Sequence, residues 1–165
     1  MPDAILLATD GSSPPYEENT PDSLRVLIVE DDPADIFLLK QALLRYAPCL
    51  FRVVMTGDSA IDFLENGEGY APQFRADLVI LDINLPGKDG GSVLAHLRAN
   101  REAWQTAVVV LSSLPEQIQR ARVPWGDFYV RKPSDLDEYL RLGTRILDWY
   151  KQALADAGQV KSPVL

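Results

Sequence analysis

Acidic residues, a hydroxyl and a lysine each stand directly after a short apolar run of the chain. Glu30 and Asp31 follow RVLIV, Asp82 follows DLVIL, Ser112 follows AVVVL and Lys132 follows DFYVR. Carboxylates that lie close together disfavour one another's ionisation, so a cluster of them needs a counter-charge. Lys132 would supply one, and a divalent cation would supply a second. Mg²⁺ takes oxygen ligands, commonly one or two carboxylates together with water and substrate phosphate.

This set of groups favours the chemistry of phosphoryl transfer. Asp31 and Asp82 as direct ligands, with Glu30 acting through water, would form an open Mg²⁺ site. A carboxylate at such a site can attack phosphorus and give an aspartyl phosphate. The metal ion and the ammonium of Lys132 would offset the charge on the transferring group, and the hydroxyl of Ser112 could bond one of its oxygens.

The apolar runs before these groups predict buried β-strands, since they are short, continuous and mostly rich in β-branched residues. Together with FRVVM they make five strands, which alternate with five segments of helical pattern: PADIFLLKQALLRYA, DSAIDFLENG, GSVLAHLRAN, PEQIQRA and SDLDEYLRLGTRILDWYKQAL. Such alternation predicts an α/β fold, a parallel sheet with helices on both faces. The length fits a flavodoxin-like doubly wound sheet of order 2-1-3-4-5, whose functional crevice lies outside the carboxyl ends of the strands. All five groups should therefore meet at one edge of the sheet.

The ends of the chain differ from its middle. The lead is rich in Pro, Ser and acidic residues, and neither end has a helix or strand period. We expect a disordered N-terminal extension at residues 1–22, one domain at 23–155 and a flexible tail at 156–165.

Composition excludes several classes of protein. The net charge of −8 argues against a nucleic-acid binder, whose surface would be basic. No apolar run approaches the roughly 20 residues that span a bilayer, so no membrane segment is expected. Cys49 is the only cysteine. With no recognisable signal peptide, this indicates a protein of the reducing cytoplasm.

Not every acidic residue near the cluster is expected to do chemistry. Asp32 and Asp35 fall at the start of the first predicted helix, whose N-terminus is positive, and we interpret both as helix-start residues.

The last predicted helix carries more apolar surface than one face needs to cover a sheet. Its residues Ile146, Trp149 and Tyr150 predict an interface, most simply that of a homodimer. The alternative is that the tail or the N-terminal extension covers this surface.

Four motifs, in order along about residues 24 to 150, resemble the receiver domain of two-component response regulators. They are VED at 29–31, LDINLPGKDG at 81–90, VVVLSS at 108–113 and FYVRKP at 128–133. The resemblance implies that Asp82 is the phosphoacceptor and that Glu30 and Asp31 are the acidic pair. It further implies that Asn84 gives a backbone carbonyl to the cofactor, Mg²⁺ or Mn²⁺.

The same resemblance implies a switch in the second half of the chain. Ser112 would be its hydroxyl, Tyr129 its aromatic residue and Lys132 the lysine of the family. The family more often has threonine where this chain has Ser112. Serine keeps the hydroxyl but has a less restricted rotamer. The acidic pair is also Glu-Asp where the family often has Asp-Asp.

A narrower resemblance concerns the partner. The stretch VEDDPADIFLLKQAL, the long loop ENGEGYAPQFRADL and the helix end ILDWY are similar to single-domain regulators that partner bacterial and cyanobacterial phytochromes. The phosphodonor would then be a phosphohistidine on a sensor histidine kinase of phytochrome type. The chain would be a signalling protein that acts through protein–protein contacts, and it would not turn over an external substrate.

Two other functions are compatible with parts of the pattern. A phosphohydrolase of the haloacid-dehalogenase type also uses an aspartyl nucleophile, but it wants Asp-x-Asp at the first strand and a cap domain. Here the candidate nucleophile Asp82 follows the third strand and has Asn84 two residues on. A degenerate receiver that only binds partners is the other alternative, and the intact acidic pair, Asp82 and Lys132 argue against it.

Overall fold

The computed structural model describes residues 22–66, 74–99 and 106–158. Strands and helices alternate through them as β1 (Leu24–Val29), α1 (Pro33–Leu44), β2 (Cys49–Val54), α2 (Gly57–Asn66), β3 (Leu78–Asp82), α3 (Gly90–Ala99), β4 (Ala107–Ser112), α4 (Glu116–Arg122), β5 (Phe128–Arg131) and α5 (Leu136–Asp156). Residues 1–21 of the predicted extension and 159–165 of the predicted tail lie outside the described residues. None of the helices in the described ranges has the length and apolar character needed to cross a bilayer.

The five strands of the described residues form one parallel sheet in the order β2-β1-β3-β4-β5. This confirms the predicted flavodoxin-like order. The register brings the strand ends level with one another, because Val29 of β1 pairs with Leu81 of β3 and Ser112 of β4 pairs with Arg131 of β5. The residues that follow these positions therefore lie along one edge of the sheet.

Successive side chains of each strand point to opposite faces, so the strands divide their apolar residues between two cores. Helices α1 and α5 cover one face, with Leu39 and Leu142 among the buried residues. Helices α2 and α3 cover the other, with Phe63 and Leu94. Burial on both faces is the reason why the strands read as continuous apolar runs.

Part of the apolar surface of α5 packs against the rest of the domain, whereas Leu136 in its first turn is 55% exposed. Ile146 is fully buried in the core, so it offers no surface to a partner, contrary to the expectation for it. Trp149 stacks on Phe128 with ring centroids 5.0 Å apart. Tyr150 packs at the edge of the same core, and burial raises the pKa of Tyr150 to about 12. For Trp149 and Tyr150 the dimer interface stays a prediction.

Helices α1 and α5 approach closely at Gly143. A Cβ atom added there would lie 2.1 Å from the carbonyl oxygen of Ala42, which is rigid backbone. The change Gly143→Ala is therefore expected to lower the free energy of unfolding by about 3 kcal/mol, because the two helices must separate to admit the methyl group. Urea denaturation followed by circular dichroism measures the change.

The matched control is Gly91→Ala in the first turn of α3. Its new Cβ would meet only the carboxylate of Asp89, at 3.3 Å. We expect an unchanged stability or a gain of up to about 1 kcal/mol from the better helix propensity of alanine. Equal unfolding midpoints for the two variants would contradict the close approach of α1 and α5.

Candidate functional site

Three carboxylates converge at the carboxyl edge of the sheet. Glu30 directly follows β1, Asp31 follows it, and Asp82 is the last residue of β3. One oxygen from each side chain lies within 4.8 Å of the others. Glu30 and Asp82 are 1% and 3% exposed, whereas Asp31 is exposed to solvent. The cluster is therefore closed on the protein side and open on the other.

Glu30 is held in place by the loop that follows it. Its Oε1 accepts hydrogen bonds of 3.1 Å from the backbone N–H groups of Asp31 and Asp32. Its Oε2 is buried and has no hydrogen-bond partner of good geometry among the described residues, although Lys132 Nζ pairs with it by charge at 2.8 Å. Burial, with a smaller contribution from the charge of Asp82, raises the pKa of Glu30 to about 7 against the opposing contacts with Lys132 and the backbone of Asp32. A second cation beside this carboxylate, in addition to Lys132, would stabilise its charged form.

Both oxygens of Asp82 are engaged. Oδ1 accepts a hydrogen bond of 2.9 Å from the backbone N–H of Asn84, and Oδ2 lies 2.9 Å from Lys132 Nζ. The side chain is thus fixed at the strand end with its carboxylate facing the acidic pair. Asn84 lies beside the cluster, and its role as a carbonyl ligand stays a prediction.

Lys132 brings the positive charge to this edge. Its backbone N–H donates to the carbonyl oxygen of Ser112 at 2.8 Å, which places it directly beyond the end of β5. Its Nζ lies 2.8 Å from Glu30, 2.8 Å from Asp35 and 2.9 Å from Asp82. Burial opposes the charged form, but the three carboxylates outweigh it and raise the pKa of Lys132 above its ordinary value. The ammonium stays protonated throughout the physiological range.

The predicted switch residues are placed differently from one another. Ser112 is fully buried at the end of β4, and its Oγ accepts a hydrogen bond of 3.2 Å from the backbone N–H of Leu114. Tyr129 is also buried, and its hydroxyl donates to the carbonyl of Val123 while it accepts from the N–H of Gly126 at 2.9 Å. Tyr129 is thus turned into the protein. The switch roles of both side chains stay predictions.

Helix α4 contributes a buried amide that the sequence analysis missed. Gln119 is fully buried, and its Nε2 donates to the carbonyls of Leu114 at 2.8 Å and Val130 at 3.0 Å. The amide ties the loop after Ser112 to β5. A polar residue at the inner position also explains why this helix shows so few apolar residues in its sequence.

The two acidic residues assigned to the helix start divide in role. Asp32 is the N-cap of α1, where its side chain accepts from the N–H groups of Ala34 and Asp35, as predicted. Asp35 lies in the first turn, also as predicted, but in addition it binds Lys132. The partner of its second oxygen, Tyr139, was missed as well. The pairs are 97 and 104 residues apart, and no sequence pattern links them.

The parallel sheet of this order, with buried acids and a lysine at its carboxyl edge, is the architecture of a receiver domain. The model of the response regulator receiver domain family matches residues 26–142, and this chain belongs to that family. Response regulator Rcp1 of Synechocystis sp. is 34% identical over 99 residues, which cover 59% of this chain and 66% of that protein. The matched segments span 66% of Rcp1, 13% of the two-component response regulator ARR2 of Arabidopsis thaliana and 42% of the transcriptional regulatory protein TcrA of Mycobacterium tuberculosis.

Solved structures point to the same subgroup. The phosphorylated cyanobacterial phytochrome response regulator RcpA superposes with a TM-score of 0.71 at 29% identity, over 79% of this chain and 96% of that one. The Mn²⁺-bound form of response regulator Rcp1 superposes with a TM-score of 0.67 at 25% identity, over 85% and 99% of the two chains. The predicted relationship to the phytochrome response regulators is thereby confirmed.

Proposed function

We propose that this chain is a response regulator that accepts a phosphoryl group on Asp82 from the phosphohistidine of a sensor kinase, in a reaction that needs Mg²⁺ or Mn²⁺. One observation carries the proposal. The carboxylate of Asp82, held at the end of β3, lies 2.9 Å from the ammonium of Lys132 and within 4.8 Å of oxygens of Glu30 and Asp31. A nucleophile, a fixed cation and a set of oxygen ligands thus share one cleft.

The transfer follows from this geometry. A carboxylate oxygen of Asp82 forms a bond to phosphorus as the P–N bond to the donor imidazole breaks. The imidazole takes the electron pair of that bond, and it leaves neutral because its other nitrogen carries a proton. Lys132 keeps its own proton and offsets the charge on the transferring oxygens. The hydroxyl of Ser112, at the next strand end, would bond one of those oxygens.

The residues present fit a divalent cation of the oxygen-preferring kind. All three candidate ligands are carboxylates, and the buried Oε2 of Glu30 has no partner of good hydrogen-bond geometry among the described residues, so a metal-bound water could donate to it. Asp31 and Asp82 would hold the ion directly, and the carbonyl of Asn84 would be a further ligand. When bound, the ion supplies positive charge to the phosphoryl oxygens. A Mn²⁺-bound structure of the relative Rcp1 supports this part of the proposal.

The nature of the partner kinase rests on the relatives. RcpA is described as a cyanobacterial phytochrome response regulator, and its structure is of the phosphorylated protein. We therefore propose a phytochrome-type kinase as the donor and protein contacts as the output. The dimer through Trp149 and Tyr150, and the cytoplasmic location, remain predictions.

The proposal is tested by incubating the chain with Mg²⁺ and a small phosphodonor such as acetyl phosphate, followed by intact mass. The expected result is one phosphoryl adduct that forms with Mg²⁺ and is absent with a chelator. Phosphotransfer from a phytochrome-type kinase, compared with an unrelated kinase, tests the partner. Sustained hydrolysis of a small phosphoester would favour the haloacid-dehalogenase alternative, and the absence of both an adduct and Mg²⁺ binding would favour a pure binding module.

The raised pKa of Glu30 predicts that Mg²⁺ affinity depends on pH. The group holds a proton up to about pH 7, and binding a cation must displace that proton. The Mg²⁺ dissociation constant is therefore expected to fall by up to about tenfold per pH unit as pH rises toward 7, and to level off above it. Isothermal titration calorimetry at several pH values measures this.

The stability of the metal-free protein is expected to change with pH in the opposite direction to the Mg²⁺ affinity. Because the pKa of Glu30 is raised in the folded state, its contribution to stability without metal is present below its ordinary pKa and is lost as pH rises through about 7.

The control for the pH dependence of Mg²⁺ affinity is Glu30→Gln. This side chain has no proton to displace, so it should flatten the pH profile of the affinity. An unchanged slope in this variant would show that another group carries the proton.

A further inference from the structure

Asp35 and Tyr139 form a chain of hydrogen bonds that ends on Lys132. The lysine donates to Asp35 Oδ2 at 2.8 Å, and the hydroxyl of Tyr139 donates to Asp35 Oδ1 at 2.5 Å. Tyr139 is 3% exposed, and the side chain of Asp35 is 21% exposed. Both oxygens of Asp35 are thus engaged, one by Lys132 just beyond β5 and one by the phenol of Tyr139 in α5.

Asp35 differs from the other two carboxylates that contact the lysine. Glu30 and Asp82 belong, with Asp31, to the group of oxygens that can surround a metal ion, and Asp35 lies outside that group. A bound cation and a phosphoryl group on Asp82 would both draw Glu30 and Asp82 away from the ammonium. The contact with Asp35 needs no such change, because neither Asp35 nor Tyr139 belongs to the group of candidate metal ligands.

We propose that Asp35 and Tyr139 are positioning residues, which fix the ammonium of Lys132 where the oxygens of the transferring phosphoryl group arrive. This inference rests on the proposed function of the same site. A lysine side chain has four rotatable carbon bonds, so a fixed anchor reduces the freedom that it would otherwise lose during the reaction. Asp35 supplies the anchor from α1, and Tyr139 holds Asp35 from α5.

The surroundings keep this anchor in its binding form. Burial opposes the charge on Asp35, but the hydrogen bonds from Lys132 and Tyr139 outweigh it and hold the pKa of Asp35 below its usual range. Burial and the bond to Asp35 raise the pKa of Tyr139, so the phenol keeps its proton. The two helices are themselves packed closely where Gly143 meets Ala42, which limits movement of the anchor.

The test is a double-mutant cycle on the rate of phosphorylation by acetyl phosphate with Mg²⁺. Asp35→Ala is expected to lower the rate at saturating donor about tenfold, while the half-saturating donor concentration and the Mg²⁺ dissociation constant change less than about twofold. In a Lys132→Ala background the same change should have less than about a twofold effect, because Asp35 acts only through the lysine. Long sampling by intact mass keeps slow rates measurable.

Tyr139→Phe keeps the ring in the core and provides a second, milder variant should Asp35→Ala fail to fold. It is expected to lower the phosphorylation rate at saturating donor about threefold, and to cause no further decrease in a Lys132→Ala background. The matched control is Asp148→Ala, which removes the same charge from an exposed position of α5. Its rate should stay within about twofold of the wild type, since long-range surface charges are screened.

The outcomes separate this inference from the proposed function. A wild-type chain that takes no phosphoryl group overturns the proposed function itself. A wild-type chain that is phosphorylated, with Asp35→Ala at the same rate or faster, overturns the positioning role and shows that Asp35 at most competes for the lysine. The positioning role is also overturned if Asp35→Ala lowers the phosphorylation rate by the same factor in the wild-type and Lys132→Ala backgrounds, because Asp35 would then act by charge alone.

Discussion

Replacing Asp82 with Asn is expected to abolish the phosphoryl adduct under conditions in which the wild-type chain is fully modified. Asparagine has nearly the same shape and can still accept the 2.9 Å hydrogen bond from Asn84. An amide, however, is not a nucleophile toward phosphorus under these conditions, so the loss should exceed about 1,000-fold. The measurement is intact mass after incubation with Mg²⁺ and acetyl phosphate, with peptide mapping of the wild-type adduct.

Two further variants make the result specific. Asp31→Asn removes a candidate metal ligand but leaves the nucleophile, so the adduct should form slowly and recover at high Mg²⁺ concentration. Asp62→Asn, on the exposed side of α2, should behave like the wild type. An adduct of wild-type yield on Asp82→Asn would place the phosphoacceptor elsewhere in the chain.

The convergence of these groups was predictable because a parallel sheet leaves little choice. All strands of a parallel sheet run in the same direction, so their carboxyl ends lie at the same edge. Residues that follow different strands therefore meet there, whatever their separation in sequence. Glu30, Asp82 and Lys132 come together for this reason. The strand order could be predicted from the alternation of elements and the length, and the structure has the same order.

The contacts made by helices were less predictable. The pairing of Asp35 with Tyr139 depends on how α1 lies against α5, and a single sequence contains no register for two packed helices. The periodicity of α5 likewise shows its apolar residues but not how much of the helix the sheet covers. Ile146 is buried in the core, and the ring of Trp149 stacks on Phe128 at the sheet edge. The apolar surface left exposed on α5 is therefore smaller than the sequence indicated.

Lys132→Ala is expected to have the second large effect, on both phosphorylation and stability. Without the ammonium, Glu30, Asp35 and Asp82 lose a cation that lies within 2.9 Å of each. Removing one partner of a buried ion pair costs about 3 kcal/mol of unfolding free energy. The loss of unfolding free energy should be larger near pH 8 than near pH 5.5, because at pH 5.5 the buried Glu30 can take up a proton. Urea denaturation at the two pH values measures it.

The same variant separates metal binding from catalysis. The ammonium competes with a divalent cation for Glu30 and Asp82, so Lys132→Ala should bind Mg²⁺ more tightly than the wild type and gain more stability from it. Phosphorylation at saturating Mg²⁺ should nevertheless fall about 100-fold, because the fixed charge that stabilises the transferring group is missing. Lys132→Arg keeps the charge, but its planar fork cannot serve three carboxylates in different directions, so it should restore stability more than rate. A wild-type rate in Lys132→Ala would mean that the metal ion alone provides the charge stabilisation, and the lysine would then serve only to hold the carboxylates together before the ion binds.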